Sequence, residues 1–349
     1  MTTTNIGTVE QARASLARLT MLRLITRLAP EADARLPGYL GSMLRGALAM
    51  GLKRMVCVVK SPCRSCLLRR DCIYTRLIET PFAADEQELR AQKDIPHPLV
   101  VRPPDRGVRS LAAGEELRCE LLFFGQAARF WPFVCTALDR AARRGLGADR
   151  IPFRMLDATA PDGTVVYRDR VALGDCAPAV APLPLDSLPA GPMLLRLRTP
   201  LRLYRQGEPL TRFELSAFLR TAARRAGAIL HYHAGVPWEE LDLRPLFAGV
   251  AGCAAQEEDV RWYAWERWSN RQRQSIGMGG LVGDVRLDGV DAGMAALLRA
   301  AEELHVGKGA IMGLGRVNLV RHPQGGDCGI PAESAMFNVS PPIAGCHRE

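Results

Sequence analysis

Lysine is nearly absent from this chain: Lys53, Lys60, Lys93 and Lys308 are the only four among 46 basic residues, so arginine carries the positive charge. Aromatic residues are scarce as well, at 6% of 349 positions. No apolar run approaches the eighteen or more residues that a membrane-spanning helix needs. The opening stretch MTTTNIGTVEQARASLARL has no apolar core of a secretory signal. A membrane protein is therefore not expected, and the expected location is cytoplasmic. The nucleotide-binding pattern Gly-x-x-x-x-Gly-Lys-Ser/Thr is missing too. In HVGKGAIMGLGRV, Lys308 follows Gly307 and no Ser or Thr comes after it.

What is present bounds the answer further. Hydrophobic residues at 48% suffice for sizeable cores, and the length suggests two domains. A formal charge of +9 points to an anionic partner, nucleic acid first and an acidic membrane surface second. A GC-rich genome would also enrich arginine without any selection for binding. Either origin leaves planar guanidinium groups that grip phosphate and stack on bases.

Six of the ten cysteines are scattered singly, as small apolar residues or inert thiols would be. The other four stand in CVVKSPCRSCLLRRDC, where Cys57, Cys63, Cys66 and Cys72 form a C-x5-C-x2-C-x5-C pattern. Four thiolates in so short a stretch can close a tetrahedral shell, and C-x2-C is the spacing at which two sulfurs reach one metal from a tight turn. Structural zinc is expected. An iron–sulfur cluster and an unmetallated reduced loop are the alternatives. A closed shell leaves no position for activating water, so the metal would pin a loop and carry Arg64, Arg69 and Arg70 on it.

Periodicity orders the elements. RLTMLRLITRLA reads as a strand and the stretch from Tyr39 to Val56 as a helix introduced by Pro37 and Gly38. The cysteine insertion and the proline-broken IPHPLVVRPPDRG follow. EELRCELLFFG is then a strand, RFWPFVCTALDRAARRGLG a helix ended by glycine, and IPFRMLDATAPDGTVVYRD a hairpin turning at Asp162-Gly163. After a proline-rich stretch the order recurs: MLLRLRTPLRLY, the helix TRFELSAFLRTAARRAGAIL, paired strands VRWYAWERWS and GMGGLVGDVRLDG, the helix DAGMAALLRAAEEL, and the strand GRVNLV. The expected fold is α+β, two tandem ferredoxin-like β-α-β-β-α-β domains with a cysteine-rich metal-binding insertion (57–72) in the first. The divisions are 18–175, a linker at 176–191, a second domain at 192–322 with its glycine-rich loop at 307–315, and a tail at 323–349.

On this plan, GYLGSMLRGAL on the first helix and GKGAIMGLGRV between the last helix and strand resemble the repeat-associated RAMP superfamily of CRISPR systems. The ordered set PHPLVVRPP, LLFFGQA, RGLGADRIPF, SNRQRQSIGMGGLVGDV and HVGKGAIMGLGRV is similar, more specifically, to the CRISPR-associated family conventionally numbered six. The cysteine cluster resembles a subgroup of it. The resemblance implies an endoribonuclease that binds CRISPR repeat RNA and cuts precursor crRNA without a catalytic metal. A 2′-hydroxyl would attack the adjacent phosphate, leaving 2′,3′-cyclic phosphate and 5′-hydroxyl ends. The other reading is a non-catalytic RAMP subunit that binds crRNA repeat among the subunits of an effector complex.

Family members often carry a histidine on or near the first helix. This sequence has Tyr39, Ser42 and Arg45 there and no histidine. Topology places His305 and the glycine loop at the sheet edge shared with the lead-in to the first helix. The catalytic candidates are therefore His305 as base or acid, Lys308 as stabiliser of the phosphorane, and Tyr39 as a donor across the domain cleft. The alternative for His305 is a helix-end histidine interacting with carbonyls. His231 and His233 are the fallback bases, read as alternate residues on a strand after the helix. The expected RNA contacts are Gly307, Gly309, Gly313, Gly315 and Arg316 in the loop, together with Arg45, Arg271 and Arg273. Trp262, Trp265 and Trp268 interleave with arginines and suit base stacking, although their spacing of three equally suits a helix packed into a core.

Overall fold

Alternating apolar residues make β1 (Thr20–Pro30) the centre of the first sheet, and leucines at every fourth position give α2 (Leu40–Val56) a single apolar stripe of Leu40, Leu44, Leu48 and Leu52. A computed structural model of the protein describes residues 7–80, 95–104, 110–174, 177–185, 192–269 and 274–322. A helix α1 (Val9–Ala17) precedes β1, closed at its start by a capping box between Thr8 and Gln11. After α2 come β2 (Leu99–Arg102), β3 (Leu117–Phe124), α3 (Trp131–Arg143), β4 (Phe153–Thr159) and β5 (Val165–Arg168). The sheet order is β2-β3-β1-β4-β5, antiparallel throughout, with Met21 opposite Phe124 and Leu24 opposite Leu121. The β4–β5 hairpin turns at Asp162-Gly163, where Gly163 has φ +88°.

The second domain repeats the plan with β6 (Met193–Leu201), α4 (Leu215–Ala234), β7 (Ala254–Glu257), β8 (Arg261–Tyr263), β9 (Glu266–Ser269), β10 (Gln274–Gly277), β11 (Gly280–Asp288), α5 (Ala292–Leu304) and β12 (Val317–Arg321). Its sheet runs β7-β11-β6-β12, with β8 also on β11 and β9–β10 as a separate hairpin. Both domains are thus ferredoxin-like, with the first strand central and the last at its side.

One expectation changes. His231 and His233 are not on a strand: α4 continues through them and ends at Gly235, whose φ of +74° makes it a left-handed cap. The tryptophan stretch follows the strand reading rather than its helical alternative. Trp262 is on β8, which pairs with β11, and Trp268 is on β9, which pairs with β10.

There are two apolar clusters, one inside the first domain and one that the two domains share. Along LLFF in β3, Leu121 and Phe123 face α2 and α3, whereas Leu122 and Phe124 face the second domain's helices beside Val100. The run is continuous because both faces of the strand are covered. Full burial of each such side chain contributes about 1.5–3 kcal/mol. The alanine-rich α4 and α5 are accordingly buried nearly all round, with Ala222, Ala226, Ala300 and Ala301 letting two layers approach. Helix α1 packs Ala12 and Leu16 into this second cluster, on the domain that follows it by more than 170 residues. The Ala181–Pro182 stretch returns to pair with Thr20 and Met21.

Candidate nucleic-acid interface

The loop between α5 and β12 is built by positive-φ backbone. His305 (φ 59°) ends the helix, and Gly307, Gly309, Gly313 and Gly315 all have φ between 67° and 92°. Its amides are largely spent inside the chain. Val306 donates to the Gly315 carbonyl, Lys308 to Arg202, Met312 to Gly309, Gly315 to Pro200, and Arg316 to the Thr199 hydroxyl. The glycines serve close approach instead. Gly313 sits against Pro103 and the Val101 carbonyl of the first domain, and a Cβ on Gly41 of α2 would meet the Met312 carbonyl. The loop is therefore a wedge between domains, and an anion bound here would be held mainly by side chains.

His305 lies inside that wedge, fully buried. The Arg102 Nε–H of β2 donates to His305 Nε2 (3.1 Å), which leaves Nδ1 to donate to the Leu314 carbonyl (3.2 Å). Burial, and then the Arg102 charge, hold its pKa well below the usual histidine range. The same guanidinium reaches Glu120 (2.8 Å) and Glu303 (3.3 Å), and Arg23 also pairs Glu303 at 2.5 Å. His305 is thus placed as a neutral joint between domains, with both ring nitrogens engaged. The helix-end alternative is nearer the geometry, although the carbonyl it meets belongs to the loop.

Tyr39, at the start of α2, does reach the loop across the cleft: its hydroxyl donates to the Met312 carbonyl at 2.7 Å, and burial pushes its pKa well up. Arg316 is half-buried beside Tyr39, and burial, then Arg102 and Arg23, bring its pKa down to about 9. Arg45 points elsewhere, toward the Ile78 carbonyl at 3.5 Å. Arg271 and Arg273 lie outside the described residues.

Lys308 faces solvent, and its Nζ stands 5.3 Å over the Tyr204 ring. The Arg202 guanidinium donates to the Tyr204 hydroxyl (2.9 Å) and to the Gly277 and Gly279 carbonyls, tying the lead-in of α4 to the base of the β9–β10 hairpin. Tyr204 and Trp262 are 40% and 39% exposed, and the Trp265 ring lies 4.9 Å from Tyr39. Lys308, Arg202, Tyr204 and Trp262 form an open basic and aromatic face. Arg202 and Tyr204 carry no motif in the sequence; the residues just after a domain's first strand sit beside its last loop, and that topological rule was their only trace.

The five described histidines are all hydrogen-bonded within the chain. His97 Nδ1 meets Thr80 Oγ1, His231 Nδ1 the Val236 carbonyl, His233 Nε2 the Pro96 carbonyl, and His322 Nε2 Glu258. Burial first, then nearby arginines, lower His97 to about 3 and His233 to about 4.

Cys57, Cys63, Cys66 and Cys72 are half-buried free thiols, with a one-turn 3-10 helix over Cys63–Ser65 and the Cys66 amide on the Cys63 carbonyl (3.4 Å). The donor set suits a thiolate-binding metal in kind. No three His, Cys, Asp or Glu side chains converge as a metal site among the described residues.

Among proteins of curated function none matches the sequence at a significant level. A family model described as an N-terminal domain matches residues 19–175, and the model for the CRISPR-associated endoribonuclease Cas6 matches residues 195–317. Among solved structures, a Cas6 product complex superposes with a TM-score of 0.51 at 15% identity, covering 86% of this chain and 99% of that one. A partial Cas6-RT-Cas1–Cas2 complex gives 0.50 at 13% identity, covering 88% of this chain and 47% of that one. Those identities speak to the fold alone; the family match speaks to the sequence of the second domain, on the fold and loop just described. The second domain, residues 195–317, thus matches the Cas6 endoribonuclease family, and the chain as a whole has the fold of a Cas6 structure.

Proposed function

We propose that this protein binds CRISPR repeat RNA and cleaves precursor crRNA at a phosphate held on the face formed by Lys308, Arg202, Tyr204 and Trp262. The observation that carries the reading is an exposed lysine and a half-buried arginine on one phenol, beside the glycine loop of a domain that matches the Cas6 family. The nucleophile is the RNA's own 2′-hydroxyl, and the products are a 2′,3′-cyclic phosphate and a 5′-hydroxyl. Such a transesterification asks for an in-line pose, cations on the crowded phosphorane, and groups that move one proton at each end. Lys308 and Arg202 supply the cations, and the Tyr204 hydroxyl is the proton-moving group nearest them. Trp262 stacks an unpaired base. Tyr39 and His305 hold the loop in place from behind.

No metal enters this chemistry. Cys57, Cys63, Cys66 and Cys72 are assigned to a structural zinc, with an iron–sulfur cluster as the alternative, and elemental analysis with an absorption spectrum decides between them. Repeat RNA is the partner, along with other CRISPR subunits. Among the described residues no helix is long and apolar enough to cross a membrane.

The buried His305 and the histidine-free α2 favour one second reading, a RAMP subunit that binds the repeat without cutting it. End-labelled repeat RNA incubated with the protein and EDTA separates the two. A cyclic-phosphate product that disappears with a 2′-deoxy nucleotide at the cut supports the enzyme; tight binding without product supports the scaffold. Lys308→Ala is expected to slow single-turnover cleavage at least tenfold, and an unchanged rate refutes its assignment.

A further inference from the structure

A cavity of about 240 Å³, lined by none of the glycine-loop residues, opens where the cysteine insertion, the turn before α3 and the last turn of α4 meet. The insertion contributes Arg69 and Arg70, the segment after it Arg76, and the turn Gly125–Phe130 contributes Arg129. Among the described residues no carboxylate lines it. Four arginines around so small a space give it a positive field that attracts an anion.

The remaining wall is aromatic and apolar, with Phe130 and Tyr232 among its residues, and Arg129 lies 4.7 Å over the Phe130 ring. Guanidinium planes and rings together are the surface on which nucleobases stack. The volume falls below the roughly 300–1,000 Å³ of drug-sized pockets, which suits one nucleotide unit and excludes a duplex. The insertion is braced for the purpose: the buried Thr75 hydroxyl bonds the carbonyls of Arg69 and Cys72, so the arginines sit on a fixed turn. Residue 57 follows the C-terminus of the 17-residue α2, whose N-terminus carries Tyr39 at the loop. At 1.5 Å per residue the two ends of α2 are about 25 Å apart, whereas the opposite wall of the cavity at Pro98 is three residues from Val101, whose carbonyl lies against Gly313 of the loop.

We propose that this cavity is a second nucleotide-binding pocket, in which the four arginines hold a phosphate and Phe130 and Tyr232 flank its base. The nucleotide is either one unit of a single RNA strand or a free mononucleotide.

The test uses the full chain, a fluorescein-labelled 2′-O-methyl RNA pentamer that cannot be cleaved, and AMP. Arg129→Glu and the double variant Arg69→Glu with Arg70→Glu, on separate elements, are each expected to weaken pentamer binding at least tenfold at unchanged melting temperature. Arg118→Glu makes the same charge change as Arg129→Glu on an exposed strand residue and is expected to stay within twofold. AMP binding that is lost in Arg129→Glu assigns the pocket to free nucleotide; pentamer binding with no AMP binding assigns it to a strand. Wild-type affinity in both cavity variants, or equal weakening by Arg118→Glu, overturns the proposal. Lys308→Ala, read by cleavage, reports on the loop face alone, so failure there is distinguishable from failure here.

Discussion

Replacing His305 is the sharpest test of how the loop works. His305→Ala removes a fully buried ring, leaves the Arg102 Nε–H and the Leu314 carbonyl without their partners, and opens a void between domains. Orphaned buried polar groups cost about 1–3 kcal/mol, and truncating a buried ring adds to that, so a loss of about 3–5 kcal/mol is expected. The backbone adds a second signature. At φ 59° and ψ 143°, His305 occupies a region that favours glycine, at a cost of order 1–3 kcal/mol for any other residue. Alanine keeps that strain and glycine releases it, so His305→Gly is expected to be more stable than His305→Ala by about 1 kcal/mol although it removes more atoms. Urea midpoints of the full chain measure both. Single-turnover cleavage is then compared at a urea-free temperature where each variant is folded, and rates within a few-fold of wild type are expected. An unchanged midpoint with cleavage slowed a hundredfold would mean that the ring acts in the chemistry, and the structural assignment would fall.

Acid should loosen the same interior. His97, His233 and His305 are neutral in the folded protein well below their unfolded values, so the unfolded chain binds protons first as pH falls. Stability present above about pH 6.5 declines toward pH 4, by up to about 1.4 kcal/mol per unit for each group fully engaged; a urea midpoint constant from pH 7.5 to 5 contradicts this. Gly41→Ala drives a Cβ into the Met312 carbonyl and is expected to cost about 1–3 kcal/mol and to weaken RNA cleavage, whereas Gly46→Ala, in open space on the same helix, is expected to be neutral or stabilising. Equal midpoints for the two variants would show that the wedge is not tightly seated. Tyr204→Phe keeps the ring under Lys308 and removes the hydroxyl bonded by Arg202, so it should slow cleavage while leaving repeat-RNA affinity within twofold; unchanged cleavage removes Tyr204 from the chemistry.

Local pattern carried much of this molecule. The leucines of α2 repeat every four residues, β1 alternates, and Gly145 and Gly163 sit where chain reversal needs them, whereas α1 and β7 are not among the expected elements. Pattern misled where it is ambiguous. HYHA reads as alternation after a helix, yet α4 continues because His231 and His233 carbonyl and ring contacts, with Trp238 stacked 4.6 Å from His231, reward another turn. A histidine three residues from the loop lysine looks available for chemistry in one dimension. In three it points the other way, into Arg102, a residue some 200 positions earlier.

By itself the sequence determined the order of elements, the two β-α-β-β-α-β units, the glycine loop between helix and strand, and the family those features suggest, because periodicity and glycine placement are local consequences of side-chain sterics. Tertiary structure alone decided which residues the loop exposes. The burial of His305 between domains, the attachment of α1 to the distant second domain, the pairing of Lys308 with Tyr204 and Arg202, and the arginine-lined cavity all depend on surfaces brought together from far along the chain. No local pattern encodes such contacts, since each partner's spacing satisfies its own helix or strand before it meets the other.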